Sequence, residues 1–419
     1  MAIYKIFKVT LNISRVVAST QKPSILESFN DAAFLSKSMK ALVVGCGRIG
    51  SIAAEDLAGS MESIDVVLAD KDGVRARKVA EAIGGAHLSS IQLDASDHNK
   101  LISNLEEFDL VMGFLPGNLG HYLTLGCIEA GKDLVDVSYM PENCLELDRK
   151  AMQAGITIIP DCGLAPGISN ILVGHVTQIV DDVRAVHIMV GGLPEREVPP
   201  LGYVVTWSPE NLIDEYTRKA KIVKDGVVVE VEALSGLEEV DFPDIGRLEA
   251  FYTDGLRTLP YTIENVKEMW EKTLRYPGHA DKVRLLRSLG FFEEEPIIIG
   301  GFKLSPKRFT ARLFDRKLRK TDIKDIVVMK VEINGFKDDQ QTHHVYSLID
   351  RYDENRGITA MARTTAYPAS IIAQLTLKGM VNEKGVVPPE KLGMNEEFFS
   401  AFSDQLENRG VKITETVIE

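Results

Sequence analysis

This 419-residue chain is short of several things at once. Its four cysteines, Cys46, Cys127, Cys144 and Cys162, are scattered with no CxxC pair. That spacing argues against a disulfide framework or a structural zinc site and suits a reducing cytoplasm. No apolar run approaches the length of a membrane span. Positive charge is in deficit: 48 Lys and Arg against 61 Asp and Glu leave a formal charge of −13. Nucleic acid and anionic membrane are therefore disfavoured as partners. There is no HExxH and no Gly-x-Ser-x-Gly elbow, so zincin and serine-hydrolase chemistry lack their carriers. His343 and His344 are adjacent in an extended stretch and point to opposite faces, so no metal site is expected. The remainder, 45% hydrophobic and 26% charged, is a globular composition with room for two or three domains.

The first 38 residues stand apart. Lys5, Lys8, Arg15, Lys22 and Lys37 outweigh Glu27 and Asp31 in a chain that is otherwise acidic. The segment reads either as an organelle-targeting leader or as the product of an upstream start, with Met39-Lys40 the natural beginning. The second reading is the expectation, and 1–38 is set outside the fold.

What is present begins with Gly45-Cys46-Gly47-Arg48-Ile49-Gly50, directly after the apolar run Ala41–Val44. A second apolar strand, Ile64–Ala69, ends in Asp70. In this dinucleotide-binding fingerprint Gly45 allows the turn, Gly47 lets backbone approach a pyrophosphate, and Gly50 brings helix against strand. The helix starting at Arg48 and Ile49 offers its free N–H groups to the phosphates. Asp70 suits the ribose hydroxyls and opposes a 2′-phosphate, so NAD is the expected cofactor. Lys71, Arg75 and Arg77 could form a phosphate pocket but read as a solvated helix face.

Strands and helices alternate from Met39 to about Asp161, which predicts a Rossmann-type doubly wound parallel sheet. Residues 39–167 form this NAD-binding domain. Alternating strands such as 185–190 and 227–231, with an Asp225-Gly226 turn, mark an α+β substrate domain with a mixed sheet over 168–365. Residues 366–419 read as a helical segment packing back on the first domain, its first helix starting after Pro368. The fold class is therefore α/β with a second α+β domain. Ligands in such sheets bind outside the carboxyl ends of the strands. That placement selects Phe114-Leu115-Pro116 and the glycine-bearing turn at Asp161 and Gly163 as cofactor contacts. Cys162 has no evident activating partner and reads as packing.

Several motifs occur in fixed order: DVSYMP at 136–141, DCGLAPGISN at 161–170, GGLP at 191–194, TWSPENLIDEYTRKA at 206–220 and TLRYPGH at 273–279. Together they resemble the saccharopine dehydrogenase family, and within it the NAD-dependent L-lysine 6-dehydrogenase branch. The resemblance covers the chain from Met39 to near its end. It implies a Rossmann domain, a mixed α/β substrate domain, a homo-oligomer (a dimer) and a small amino-acid substrate. It also implies oxidation of lysine at the ε-amine, giving allysine that cyclises to a piperideine carboxylate. Such chemistry needs a base near the nicotinamide and a clamp for the α-carboxylate. Asp136, at a strand end, is the candidate base, its alternative being a helix cap. Tyr139 either bonds the amine or packs. His279 sits in a family-like turn and is a candidate acid or base, against a merely solvated loop histidine. Arg257 and Arg275 are the candidate clamp, Arg275 equally a surface ion pair. Trp207 walls the pocket or belongs to the core. Two rival readings stay open: a reductive condensing dehydrogenase of the saccharopine or carboxynorspermidine type, which would gather additional arginines, and a non-catalytic NAD-binding redox sensor.

Overall fold

The computed structural model describes residues 39–61, 63–320 and 323–418 and, ahead of them, the two-residue strand β1 (Ile6–Phe7). The basic residues of the expected leader lie outside the described ones. From Met39 strands and helices alternate: β2 (Met39–Val44), α1 (Arg48–Ser60), β3 (Ile64–Asp70), α2 (Gly73–Ile83), β4 (Leu88–Gln92), α3 (His98–Leu105), β5 (Leu110–Gly113), α4 (Gly117–Ala130), β6 (Asp133–Asp136), α5 (Asp148–Ala154) and β7 (Thr157–Ile159). The central strands are apolar on both faces, as in β2, where Ala41 to Val44 are buried. Such strands need cover on both sides, which the helices supply. Asp72 and Asp97 cap α2 and α3 with their side chains, and Gly131 ends α4 in a left-handed conformation. Between β6 and β7 a 3-10 turn at Cys144–Leu147 precedes α5.

The second half runs α6 (Ile168–Ile179), β8 (Asp182–Pro194), α7 (Pro209–Thr217), β9 (Ala220–Lys224), β10 (Val227–Val231), β11 (Glu238–Phe242), β12 (Gly246–Tyr252), α8 (Leu259–Thr262), β13 (Glu268–Arg275), α9 (His279–Ser288), β14 (Ile297–Ile299), β15 (Phe302–Leu304), α10 (Pro306–Leu318), β16 (Asp325–Lys337) and β17 (Gln340–Arg351). It closes with α11 (Ala360–Leu377), β18 (Gly385–Val386), α12 (Pro389–Gly393), α13 (Glu396–Asn408) and β19 (Thr414–Ile418).

Seven strands form the parallel sheet in the order β18-β7-β6-β5-β2-β3-β4. The mixed sheet runs β1-β19-β17-β16-β8-β13-β12-β11, with the β9–β10 hairpin joined through β9 to β13. Its β8–β13 pair is parallel and its other pairs are antiparallel. The expected α/β architecture with a mixed second sheet is thus the one observed. The C-terminal segment serves both sheets: β18 extends the parallel one and β19 the mixed one.

Helix α11 lies between them, packed on α1, β5 and β6 and on β16. It begins at Ala360, earlier than the sequence suggested, and runs through Pro368. An interior proline costs about 3 kcal/mol. Here Thr359 and Asp325 cap the first turn, and the turns on both sides of Pro368 are buried, so packing overrides the break.

Candidate active site

A cleft of about 530 Å³ follows the carboxyl edge of the parallel sheet and continues against β8, β13 and α7. At one end stands the glycine turn. A Cβ on Gly45 (φ +105°) would lie 2.5 Å from Phe114 O, and one on Gly50 would lie 2.0 Å from Gly45 O. Those two glycines are demanded by the turn itself. Gly47 differs, because a Cβ there would meet no protein atom within 4 Å. A bare backbone there leaves room for a phosphate group to approach. Gly47 also precedes the first turn of α1, and no side chain caps that turn. The unpaired N–H groups and positive dipole end therefore face the cleft, which fits the pyrophosphate of a dinucleotide.

Asp70 lies beside this turn. Its Oδ2 accepts the Cys46 N–H (3.0 Å), its Oδ1 accepts the Asp72 N–H (2.9 Å), and the Arg75 guanidinium is 3.6 Å away. Arg48, Ile49, Phe114, Leu115, Pro116, Asp161 and Gly163 line the same cleft, so all the residues expected to meet the cofactor are brought together. Lys71 and Arg75 join them, although the sequence reading left both on a solvated face.

The other half of the cleft is lined by Tyr139, Tyr203, Trp207, Glu215, Thr253, Glu271, Thr273, Arg275 and Arg319. Three sequence candidates are among them. The Tyr139 hydroxyl donates to Asp254 O (3.0 Å), and its ring meets Trp207 edge-on at 6.3 Å. Trp207 Nε1 donates to the Tyr203 hydroxyl (3.1 Å). Arg275 is buried, lies over the Tyr203 ring, and sends one terminal nitrogen to both oxygens of Glu215 at 3.1 Å. It is an internal ion pair on the cleft wall, not a surface one.

Three other candidates lie off the cleft wall. Asp136 is fully buried and caps its own turn, accepting from Ser138 N–H and Ser138 Oγ at 2.9 Å each. Burial lifts its carboxyl to about 7, against the pull of those bonds. Arg257 is spent on Asp161, whose two oxygens its Nε meets at 3.2 Å, and on Asp254 at 3.7 Å. It braces the turn at Asp161 and is not a clamp. His279 starts α9 after the left-handed Gly278 and is 1% exposed. Its Nδ1 is 2.8 Å from Leu201 O and its Nε2 is 2.9 Å from the Tyr216 hydroxyl. Burial, helped by Arg275, pushes its imidazole down to about 3. A ring that stays neutral with both nitrogens engaged is a strut, not a general base.

None of Glu215, Thr253, Glu271, Thr273 and Arg319 is among the sequence candidates. A signal existed. In β13, Glu271, Thr273 and Arg275 are polar residues spaced by two, which puts them on one face of a buried strand. Thr253 Oγ1 lies 2.6 Å from Glu271 Oε2 and 2.7 Å from Thr273 Oγ1, and Thr273 Oγ1 lies 2.8 Å from Glu215 Oε1. Burial, then the nearby Glu215 and Asp254 charges, push the Glu271 carboxyl well above the ordinary range, and its bond to Thr253 only partly opposes this. The cysteines offer no nucleophile. All four are unpaired and buried, and burial lifts the Cys46 thiol, the one beside the phosphate turn, to about 12. Among the described residues no cluster could hold a metal, and no helix is long and apolar enough to cross a membrane.

Known proteins are similar to this chain in sequence and in fold. Residues 41–159 match the sequence model of the saccharopine dehydrogenase NADP binding domain, and residues 163–411 that of the saccharopine dehydrogenase C-terminal domain. A carboxyaminopropylagmatine dehydrogenase of Synechocystis is 23% identical over 84% of this chain and 92% of its own. The NADP(+), L-glutamate-forming saccharopine dehydrogenase of Saccharomyces cerevisiae is 23% identical over 87% of this chain and 96% of its own. A solved apo structure of the yeast L-Glu-forming saccharopine dehydrogenase superposes with a TM-score of 0.73 at 21% identity, covering 91% of this chain and all of that one. With both domain models matched in order along one parallel and one mixed sheet, the chain belongs to the saccharopine dehydrogenase family.

Proposed function

We propose that the chain is an NAD-dependent dehydrogenase that oxidises L-lysine at its ε-amine, giving allysine and then a piperideine carboxylate. The observation that carries this reading is that the substrate half of the cleft presents two carboxyl groups and arginines that are already paired. Glu215 and Glu271 both line it, and of the two arginines there Arg275 is already matched by Glu215. Arg218 and Arg257, which a condensing enzyme could have turned on an anionic second substrate, are engaged by Asp254 and Asp161. Such a wall offers an ammonium ion two carboxyl groups as acceptors and leaves little spare positive charge for a molecule with several carboxylates. Arg319 is held by Asp315 through Nε (2.6 Å) and by Trp207 O through one terminal nitrogen (3.2 Å), and it offers its other terminal nitrogen to one α-carboxylate, with Tyr139 and Trp207 flanking the alkyl chain.

A nicotinamide bound in the cleft supplies the hydride acceptor. The chain's own task is to take a proton from the ammonium first, because a cationic nitrogen holds its carbon's hydride back. Glu271 is placed for that. Water must be kept from the reacting atoms until the imine forms, and the aromatic wall of Tyr139, Tyr203 and Trp207 serves this purpose.

NAD is preferred over NADP because the Asp70 carboxylate would oppose a 2′-phosphate. Arg75, at 3.6 Å, is the counter-charge that sets how strong that preference is. The expected kcat/KM ratio favours NAD, and Arg75→Ala widens it. A ratio that favours NADP overturns this assignment. The buried, unpaired cysteines support work in a reducing cytoplasm. We also propose a homodimer, supported by the exposed apolar residues Ile298 (73%) and Phe302 (79%) of the β14–β15 hairpin.

The second reading is a dehydrogenase of a carboxyaminopropylagmatine-like substrate, the activity named for the Synechocystis relative, since the same two carboxyl groups suit a cationic chain. A panel of amines decides between them, followed by NADH formation. Lysine alone should be oxidised and Nε-acetyl-lysine should not. NADH consumption with an aldehyde plus glutamate or a diamine, and none formed with lysine, moves the assignment to a condensing enzyme.

A further inference from the structure

Glu271, Thr253, Thr273 and Glu215 are joined by O···O contacts of 2.6, 2.7 and 2.8 Å. Each contact that short requires one proton between the two oxygens. The two threonine hydroxyls supply two protons for three contacts. If Thr253 donated to Glu271 and Thr273 to Glu215, the two hydroxyl oxygens would face each other at 2.7 Å with lone pairs only. The third proton therefore belongs to a carboxyl group. Glu215 is not that group, since the Arg275 guanidinium holds both its oxygens. Glu271 makes no ion pair among those seen, and its neighbour Lys272 points to the opposite face, to Glu238 and Gly236 O.

We propose that these four residues form a proton relay, in which the Glu271 acid donates to Thr253, Thr253 to Thr273, and Thr273 to the Glu215 carboxylate. Glu271 takes the substrate's proton and Glu215 stores it. The chemical half of this rests on the amine-oxidising reading above; the resting proton does not. The charged groups facing Glu271 are Glu215 from α7, Asp254 after β12 and Arg275 from its own strand. The backbone holds the acid in place, since a Cβ on Gly255 would fall 2.5 Å from Glu271 Oε2.

In the transfer step, the substrate N–H bond breaks as an O–H bond forms on the free oxygen of Glu271. The proton already on Glu271 passes to Thr253, that of Thr253 to Thr273, and that of Thr273 to Glu215 Oε1. The substrate becomes a neutral amine and Glu215 a neutral acid beside Arg275. No electrons move and no co-reactant is needed. A neutral acid can in this way act as a base for an ammonium ion, because its own proton has somewhere to go.

The test has two arms. Infrared difference spectra of the substrate-free protein at neutral pH, wild type minus Glu271→Gln, should show a carboxylic-acid C=O band, and wild type minus Glu215→Gln should show carboxylate bands. Carboxylate bands in the first difference overturn the proposal. In the second arm, Thr273→Val should lower kcat for amine oxidation by about 100-fold with little change in KM, and Thr273→Ser should restore it. Unchanged turnover in Thr273→Val overturns the relay. If no amine is oxidised at all, the proposed function falls, and the infrared arm still decides where the proton resides.

Discussion

Burial acts on His279 and Glu271 in opposite directions, and each can be measured. An unfolded histidine binds its proton near 6.5, whereas folded His279 does not until about 3. Between those values the unfolded chain binds more protons, so stability is full above 6.5 and falls as pH drops toward 3, by at most about 5 kcal/mol for this ring. Denaturant midpoints at pH 7.5 and 5 should therefore separate in the wild type. His279→Asn should lower both midpoints and narrow their separation, while its folded fraction keeps turnover within an order of magnitude. An undiminished separation, or abolished turnover in well-folded protein, contradicts the strut assignment. Sequence alone could not place this ring. YPGH reads as an exposed turn, and only the packing of Leu201, Tyr216 and Phe251 around it shows the imidazole to be interior.

At the scale of elements, the turn from β2 into α1 was legible and β13 was not. The glycines of 45–50 do separate jobs that substitution can expose. Gly50→Ala should unfold the domain, since its Cβ falls 2.0 Å from backbone, whereas Gly47→Ala should fold normally. Dinucleotide affinity of Gly47→Ala should fall by at least about tenfold, the scale of one lost charge-assisted hydrogen bond. A fluorescence titration with wild-type affinity would contradict the phosphate assignment. Backbone requirements such as these leave a local mark in the sequence. The stripe of Glu271, Thr273 and Arg275 leaves a fainter one. It shows period two, but its meaning depends on Glu215 and Thr253, which arrive from α7 and from the residue after β12. Gly255→Ala tests that convergence: displacing the Glu271 carboxyl should cut kcat by about 100-fold while dinucleotide binding stays intact. Asp136 and Arg257 mislead for the converse reason. Strand-end position and charge made them candidates, and neighbours at Ser138 and Asp161 had already claimed them.

The whole molecule places a dinucleotide turn and a wall bearing two carboxyl groups at two ends of one cleft, with α11 wedged between the sheets that carry them. At this scale the proposed homodimer has its own check. Sedimentation equilibrium should give twice the chain mass, and Ile298→Asp should give a single chain with unchanged circular dichroism. A wild-type monomer contradicts the dimer, and a dimer that survives Ile298→Asp removes the hairpin as its support. The most direct measurement of the central claim is the initial rate of NADH formation from L-lysine and NAD by the purified chain, with the product trapped as a piperideine. Lysine-dependent NADH with that product, lost in Glu271→Gln, is the expected result. Bound NAD with no NADH formed from lysine would contradict it.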